Sequence, residues 1–290
     1  MYQLFATKVK ELLQEQLGAD YEVNLHSATK VNDTERCGLT IKEKGLNISP
    51  TIYLEEFYSR YEDEMDMEDI VLSIIHLYNE VKFDKDWEVS QFQDFQYIKE
   101  KLFFCVINRE MNNVFLENIP YVEHLDFAII IRVLMELDKK GLATILVNND
   151  MLKVWGITKE EIFEIAKENT PIMFPMEFKP MHQVIEELTG RTVIEESENF
   201  LYVLSNNIRN YGAGVIFYEN ALEQIADTLQ DNLILIPSSI HEWIIVPERQ
   251  FDIGDEMNDM ISEINETQVL EEDILGTHFY HYDRTTKEWK

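Results

Sequence analysis

"ILIPSSIHEWIIVP", residues 234–247, sets two apolar, strand-like runs around a polar break holding Ser238, Ser239, His241 and Glu242. Such a break has two chemistries. Serine, histidine and a carboxylate are the parts of a nucleophilic site. They are also the parts of a capped corner. Ser239 and Glu242 stand at the S-x-x-E spacing of a capping box. There the Ser239 hydroxyl accepts from the Glu242 amide, and the Glu242 side chain reaches back to the Ser239 amide. Pro237 closes the first run and "WIIVP" opens the second, so the spacing predicts a single helical turn between two strands. A hydrolase triad assembles its members from distant segments. No G-x-S-x-G elbow is present, and no glycine stands beside either serine to build an oxyanion hole. His241 is not required by the cap and stays a candidate contact residue.

Working outward, short apolar runs alternate with amphipathic stretches. Residues 2–17 carry Leu4, Phe5, Val9, Leu12, Leu13 and Leu17 at helical spacing. "YEVNLHSATKVND" and "RCGLTIKE" read as strands joined by a turn, and "NISPTIYLEEFYSRY" as a strand running into a helix. In "MDMEDIVLSIIHLYNEV", Asp66 is the expected N-cap, and Ile70, Val71, Ile74, Leu77, Tyr78 and Val81 form the buried stripe, with His76 on the solvent side. The polar "FDKDWEVSQFQDF" is the expected boundary, giving modules over 1–88 and 89–290.

In the second module "KLFFCVIN", "FAIIIRVLM" and "ATILVN" read as strands. "ITKEEIFEIAKENTP" reads as a helix opened by a Thr158–Glu161 capping box and ended near Pro171. "NFLYVLSN" and "AGVIFY" suggest a hairpin through "NIRNYG", "ENALEQIADTLQ" and "DIGDEMNDMISEINET" are helices, and "THFYHYD" is a last strand. Residues 141–155 and 212–226 share a glycine, a strand pattern, an asparagine turn and a helix. This is either a weak β-α repeat or convergent strand–turn–helix grammar. The sum is an α+β protein with helices layered on mostly antiparallel sheets.

Charge narrows function. The 290 residues carry 55 acidic side chains against 25 lysines and arginines, a formal net charge of −30. Such a surface repels nucleic-acid phosphates and anionic membranes, and no basic patch offsets it. Apolar runs such as "FAIII" fall far short of the ~18 residues of a membrane span. Two distant cysteines, Cys37 and Cys105, argue for a reducing compartment, and the first helix has no signal-peptide pattern, so a cytoplasmic location is expected.

The other motifs have plain explanations. His278 and His281 alternate along a strand and would point to opposite faces, so neither they nor any other set supplies a metal site. "YGAGVIFY" contains G-x-G but precedes its apolar run, the wrong context for a phosphate cradle, and predicts a tight turn with positive-φ glycine. No cofactor motif is present. Arg132 lies within "FAIIIRVLM" on the face of Ala128, Ile130 and Leu134. A buried guanidinium there calls for a carboxylate partner; the other reading is an anion contact lining a pocket.

"DFAIIIRVLM", "LATILVNNDMLKVWGITKEEIFEIAKENTPIMFP", "ILIPSSIHEWIIVP" and "HFYHYDRTTKE" together resemble a family of uncharacterised proteins from anaerobic Gram-positive gut bacteria, catalogued as a domain of unknown function. Through a strand, a G-(I/L)-(S/T)-x-E-E-(I/L) helix start and a VP-(S/A)-type corner, residues 141–247 also distantly resemble a second uncharacterised Gram-positive family. Neither resemblance implies an activity, cofactor or partner. The expectation is a cytoplasmic binding or interaction protein without its own catalysis. It would engage an unknown protein or small-molecule ligand, with Arg132 and His241 as contact residues. The alternative is a hydrolase with a site near Ser238, His241 and Arg132, its catalytic candidates being Ser238, His241 and Glu242.

Overall fold

The amphipathic period of residues 2–17 forms helix α1 (Tyr2–Leu17). Its buried stripe is Phe5, Ala6, Val9 and Leu13, whereas Leu4 is 76% exposed. The helix therefore faces its core about one position away from the expected stripe. The computed structural model describes residues 1–46, 49–82, 89–138, 141–191, 201–250 and 256–290. The chain divides into two units, Met1–Lys30, Thr34–Phe92 and Asp138–Gly141 in one, and Val31–Asp33, Gln93–Leu137 and Leu142–Lys290 in the other.

In the first unit, β1 (Tyr21–Thr29), β2 (Glu35–Glu43) and β3 (Thr51–Tyr53) form an antiparallel sheet in that order. Helices α2 (Glu55–Glu62) and α3 (Met67–Val81) follow. Asp66 is the N-cap residue of α3, although its side chain makes no capping bond. Ile70, Val71, Ile74 and Tyr78 are buried with Val9, Leu13, Leu39 and Ile41, and His76 is exposed beside Glu80. One face of each element is apolar, and each buries that face against the others.

The second unit starts at the short α4 (Phe95–Ile98), capped by Asp94. Next come β4 (Leu102–Asn108), β5 (Tyr121–His124), β6 (Phe127–Asp138) and β7 (Gly141–Leu146). They make one sheet, with β6 paired to β4, β5 and β7. All seven residues of β4 are buried, as a continuous apolar run requires. Helices α5 (Asn149–Trp155) and α6 (Lys159–Met173) follow. The Thr158–Glu161 capping box is formed, but Pro171 lies inside α6, which ends at Met173. The Thr170 hydroxyl, one residue before the proline, accepts from the Phe104 amide at 3.0 Å and ties the helix to β4.

Strand β8 (Met176–Pro180), helix α7 (Met181–Thr189), β9 (Tyr202–Asn206), helix α8 (Ala221–Leu229), β10 (Leu233–Ser239), β11 (Glu242–Pro247), helix α9 (Glu256–Gln268), β12 (Tyr280–Asp283) and β13 (Glu288–Trp289) complete the chain. The second sheet runs β13-β12-β10-β11-β9-β8. Every neighbouring pair in it is antiparallel. One core draws Cys105, Phe127 and Ile130 from the first sheet and Leu204, Leu235, Trp243 and Tyr280 from the second. The fold is α+β. Among the described residues no helix is long and apolar enough to cross a membrane.

Two expectations fail here. Residues 212–217 are a 3-10 helix, so "AGVIFY" is not the second strand of a hairpin, and β9 pairs with β8 and β11 instead. The β-α reading of 212–226 fails with it, since only 141–146 is a strand. The physical reason is close packing. A Cβ on Gly212 would lie 2.1 Å from Ser205 Oγ and 2.5 Å from the His241 carbonyl oxygen. Gly212 lacks a side chain because other backbone passes against it. The left-handed positions of this loop belong to Arg209 and Tyr211, not to a glycine.

A buried asparagine cluster was not foreseen. Val31–Asp33 group with the second unit. The Asn32 amide donates to Asn112 Oδ1 (2.6 Å), and Asn112 Nδ2 donates to Asn32 Oδ1 (2.7 Å) and the Asn108 carbonyl (2.6 Å). Asn32 Nδ2 donates to the Glu271 and Ile274 carbonyls. The Asp33 carboxylate accepts from the Val114 and Phe115 amides.

Candidate functional site

Antiparallel β4 and β6 set Phe103 opposite Arg132 and Cys105 opposite Ile130. The Arg132 side chain, half-buried, leaves the strand toward β7 and the loop after β9. Its Nη1 donates to Thr144 Oγ1 at 2.9 Å, and the guanidinium lies over the Tyr211 ring, 4.6 Å from the centroid. Nε is buried and has no acceptor. The expected carboxylate partner is not found. Among the described residues Arg132 makes no ion pair, and an aromatic face occupies that position. The ring quadrupole attracts the cation by about 0.5–2 kcal/mol without supplying a counter-charge.

Tyr211 is the centre of the arrangement. Its backbone is left-handed (φ 52°), which turns the amide toward His241 Nδ1 at 3.1 Å. Its ring lies 6.0 Å from the imidazole and 6.3 Å from Phe103. Burial pushes its phenol above the ordinary tyrosine range, against the pull of Arg132. Burial likewise raises the Cys105 thiol beside the guanidinium. Both groups are therefore neutral neighbours.

His241 sits in the Ile240–His241 turn of the β10–β11 hairpin, after a register shift between Pro237 and Ser239. The predicted helical turn and capping box are absent: Ser239 pairs with Glu242 across the hairpin. The Ser239 hydroxyl accepts from the His241 amide (3.1 Å), and the Ser238 hydroxyl reaches Glu242 Oε1 only at 3.5 Å. The S-x-x-E spacing serves a tight hairpin here because two strong strands hold the flanks. Three other segments clamp the turn. Ser205 Oγ donates to the His241 carbonyl (2.7 Å), the Ala213 amide to the Ile240 carbonyl (3.2 Å), and the Ile240 amide to the Asp273 carbonyl (2.8 Å).

The ring's own bonds limit its chemistry. A backbone amide can only donate, so Nδ1 is an acceptor and the neutral imidazole carries its proton on Nε2. Nε2 faces Asp273 Oδ1 at 3.4 Å. The single lone pair of the ring is thus occupied, and neither serine hydroxyl is bonded to it. Arg132 and His241 are brought together through Tyr211, whereas Ser238 and Glu242 pair with each other.

A groove of about 740 Å³ opens elsewhere in the second unit, lined by Arg109, Glu110, Asn113, Glu117, Tyr121 and Glu123 among others. Arg109 spans it to Glu123 at 3.0 Å. His241 does not line it. His278 and His281 go to separate carboxylates, Asp126 (3.3 Å) and Glu248 (3.0 Å). Among the described residues no three histidine, cysteine or carboxylate side chains converge.

Sequence reading missed Tyr211, Asp273, Ser205 and Thr144. The one local signal was the polar "NIRNYG" loop, which marks a turn but not its partners. No curated protein and no solved structure matches the chain. Residues 2–284 match the model of a family described as a family of unknown function (DUF5688), and the chain belongs to that family.

Proposed function

We propose that the protein acts by binding, without catalysis of its own, in the bacterial cytoplasm, and that Arg132 and His241 belong to its contact surface. The observation that carries this is the bonding of His241. With Nδ1 accepting from the Tyr211 amide, the ring has no lone pair left to take a proton from a serine. Both cysteines are free thiols, in keeping with a reducing compartment. The test is a fluorophosphonate probe on the full chain. Ser238 and Ser239 are expected to stay unlabelled. Stoichiometric labelling of Ser238, lost in His241→Ala, would overturn the reading.

One observation favours the hydrolase alternative. Asp273, a carboxylate from a distant segment, lies beside Nε2 of His241, as a triad's orienting acid would. That arrangement becomes productive only if the ring releases the Tyr211 amide and Nδ1 turns to a hydroxyl. The same labelling experiment separates the two readings.

A further inference from the structure

Arg132 is a cation whose charge its described surroundings do not neutralise. One guanidinium nitrogen serves the uncharged Thr144 hydroxyl, the face lies on Tyr211, Nε is buried without an oxygen acceptor, and the Cys105 thiol that bonds the guanidinium carries no charge. Anions are not scarce in this chain, with 55 carboxylate side chains against 25 lysines and arginines. Lys179, Arg209, Arg284 and Lys287 each take at least one. Cys105 and Tyr211, held neutral by burial, give Arg132 none. Withdrawing a guanidinium partly from water without a counter-ion is costly, and an acceptor arriving from outside relieves that cost.

We infer that Arg132, backed by the Tyr211 ring, is the contact for a small oxyanionic group, a carboxylate or a phosphate, on the ligand of this binding protein. The inference rests on the binding reading above and names the ligand's chemistry. An oxyanion fits better than a halide because a planar guanidinium edge matches two oxygens at once. The net charge of −30 opposes any anion at long range. At physiological ionic strength that field is screened beyond about 8 Å, and the local pairing decides.

The test uses the full chain at constant ionic strength set with sodium chloride. Inorganic phosphate and acetate are titrated separately while the Arg132 side-chain Nε–H resonance, identified by its loss in Arg132→Gln, is followed by NMR. A saturable shift with either anion, absent for the other arginine resonances, is expected, together with a rise in Tm that Arg132→Gln abolishes. Which anion acts tells phosphate from carboxylate. Arg132→Lys keeps the charge without the planar edge and should bind roughly tenfold more weakly. No saturable shift of any arginine Nε–H resonance with either anion overturns the inference, and the wild-type spectrum alone decides this even if the variants fold poorly. Serine labelling is a separate readout, so failure of the anion site and failure of the binding reading are distinguishable.

Discussion

The backbone amide of Tyr211 donates to Nδ1 of His241 at 3.1 Å, across 30 residues of sequence. This contact fixes the tautomer of the most suspicious histidine in the chain. A long-range 1H–15N spectrum near neutral pH should show His241 protonated at Nε2, with Nδ1 as the bare nitrogen. A proton on Nδ1 would mean the Tyr211 contact is not made in solution and would reopen the hydrolase alternative.

The Gly212 position depends on the same clamp. A methyl group there would meet Ser205 Oγ at 2.1 Å, the His241 carbonyl oxygen at 2.5 Å and the Asn206 nitrogen at 2.8 Å. Two of these are backbone atoms and cannot rotate away. Gly212→Ala should therefore cost about 3 kcal/mol or more, the upper end of overpacking. At Gly214 the nearest atom is the Phe104 ring at 3.3 Å, so Gly214→Ala should cost clearly less. Urea unfolding of both variants checks the order, and equal losses would contradict it.

What the sequence reveals of this region depends on range. Helix α6 was legible because Thr158 and Glu161 are three residues apart and make their own cap. Strands β4 and β6 were legible because an apolar run needs only to be buried. Residues 212–217 were not. Their apolar content signals burial, but the choice of a 3-10 helix over a strand rests on Ser205 and His241, which no local pattern announces. Arg132 stands out in the sequence as a cation among apolar residues, but its aromatic neighbour does not, because Tyr211 comes from a distant loop. Ser239 and Glu242 satisfy the spacing of a helical cap and of a hairpin alike, and only the pairing of β10 with β11 decides between them.

The Ser239 hydroxyl still has a task in the hairpin, accepting from the His241 amide. Ser239→Ala should cost about 1 kcal/mol, the usual net worth of one such bond. Ser238→Ala removes a 3.5 Å contact and should be nearly silent in the same unfolding experiment. A larger loss at Ser238 than at Ser239 would reverse this assignment.

Asn112 is fully buried and makes three of the hydrogen bonds in the asparagine cluster. Asn112→Ala strands the Asn32 amide and Oδ1 and should cost about 2–4 kcal/mol, roughly 1–3 for each unsatisfied group after partial relaxation. Asn112→Asp can still accept from Asn32 but cannot donate to either carbonyl-type oxygen, and it buries a charge. It should be no milder than alanine. Near-wild-type stability in both variants would show that water replaces the cluster.

Glu177 and Glu187 share two cations: Lys179 Nζ lies 2.8 Å from each carboxylate, and Arg209 bonds both, at 2.9 Å to Glu177. Partial burial of Glu177 pushes its pKa up, but bonds from Lys179 and Arg209 outweigh this and hold it below the ordinary 4.5. Glu187 is lowered by Lys179 and then Arg209. For a carboxylate depressed in the folded state, the stabilisation is present above the unfolded pKa and is lost as pH falls through the folded one. The network's contribution should thus be intact at neutral pH, begin to fall at about pH 4.5 and be lost as pH drops through the lower folded values. Replacing both cations, Lys179→Met with Arg209→Gln, should lower stability at pH 7 and flatten its decline between about pH 5 and pH 3. Urea unfolding across that range measures both. If the variant declines as steeply as the parent, other carboxylates set the acid limb and this network only positions α7 against β8.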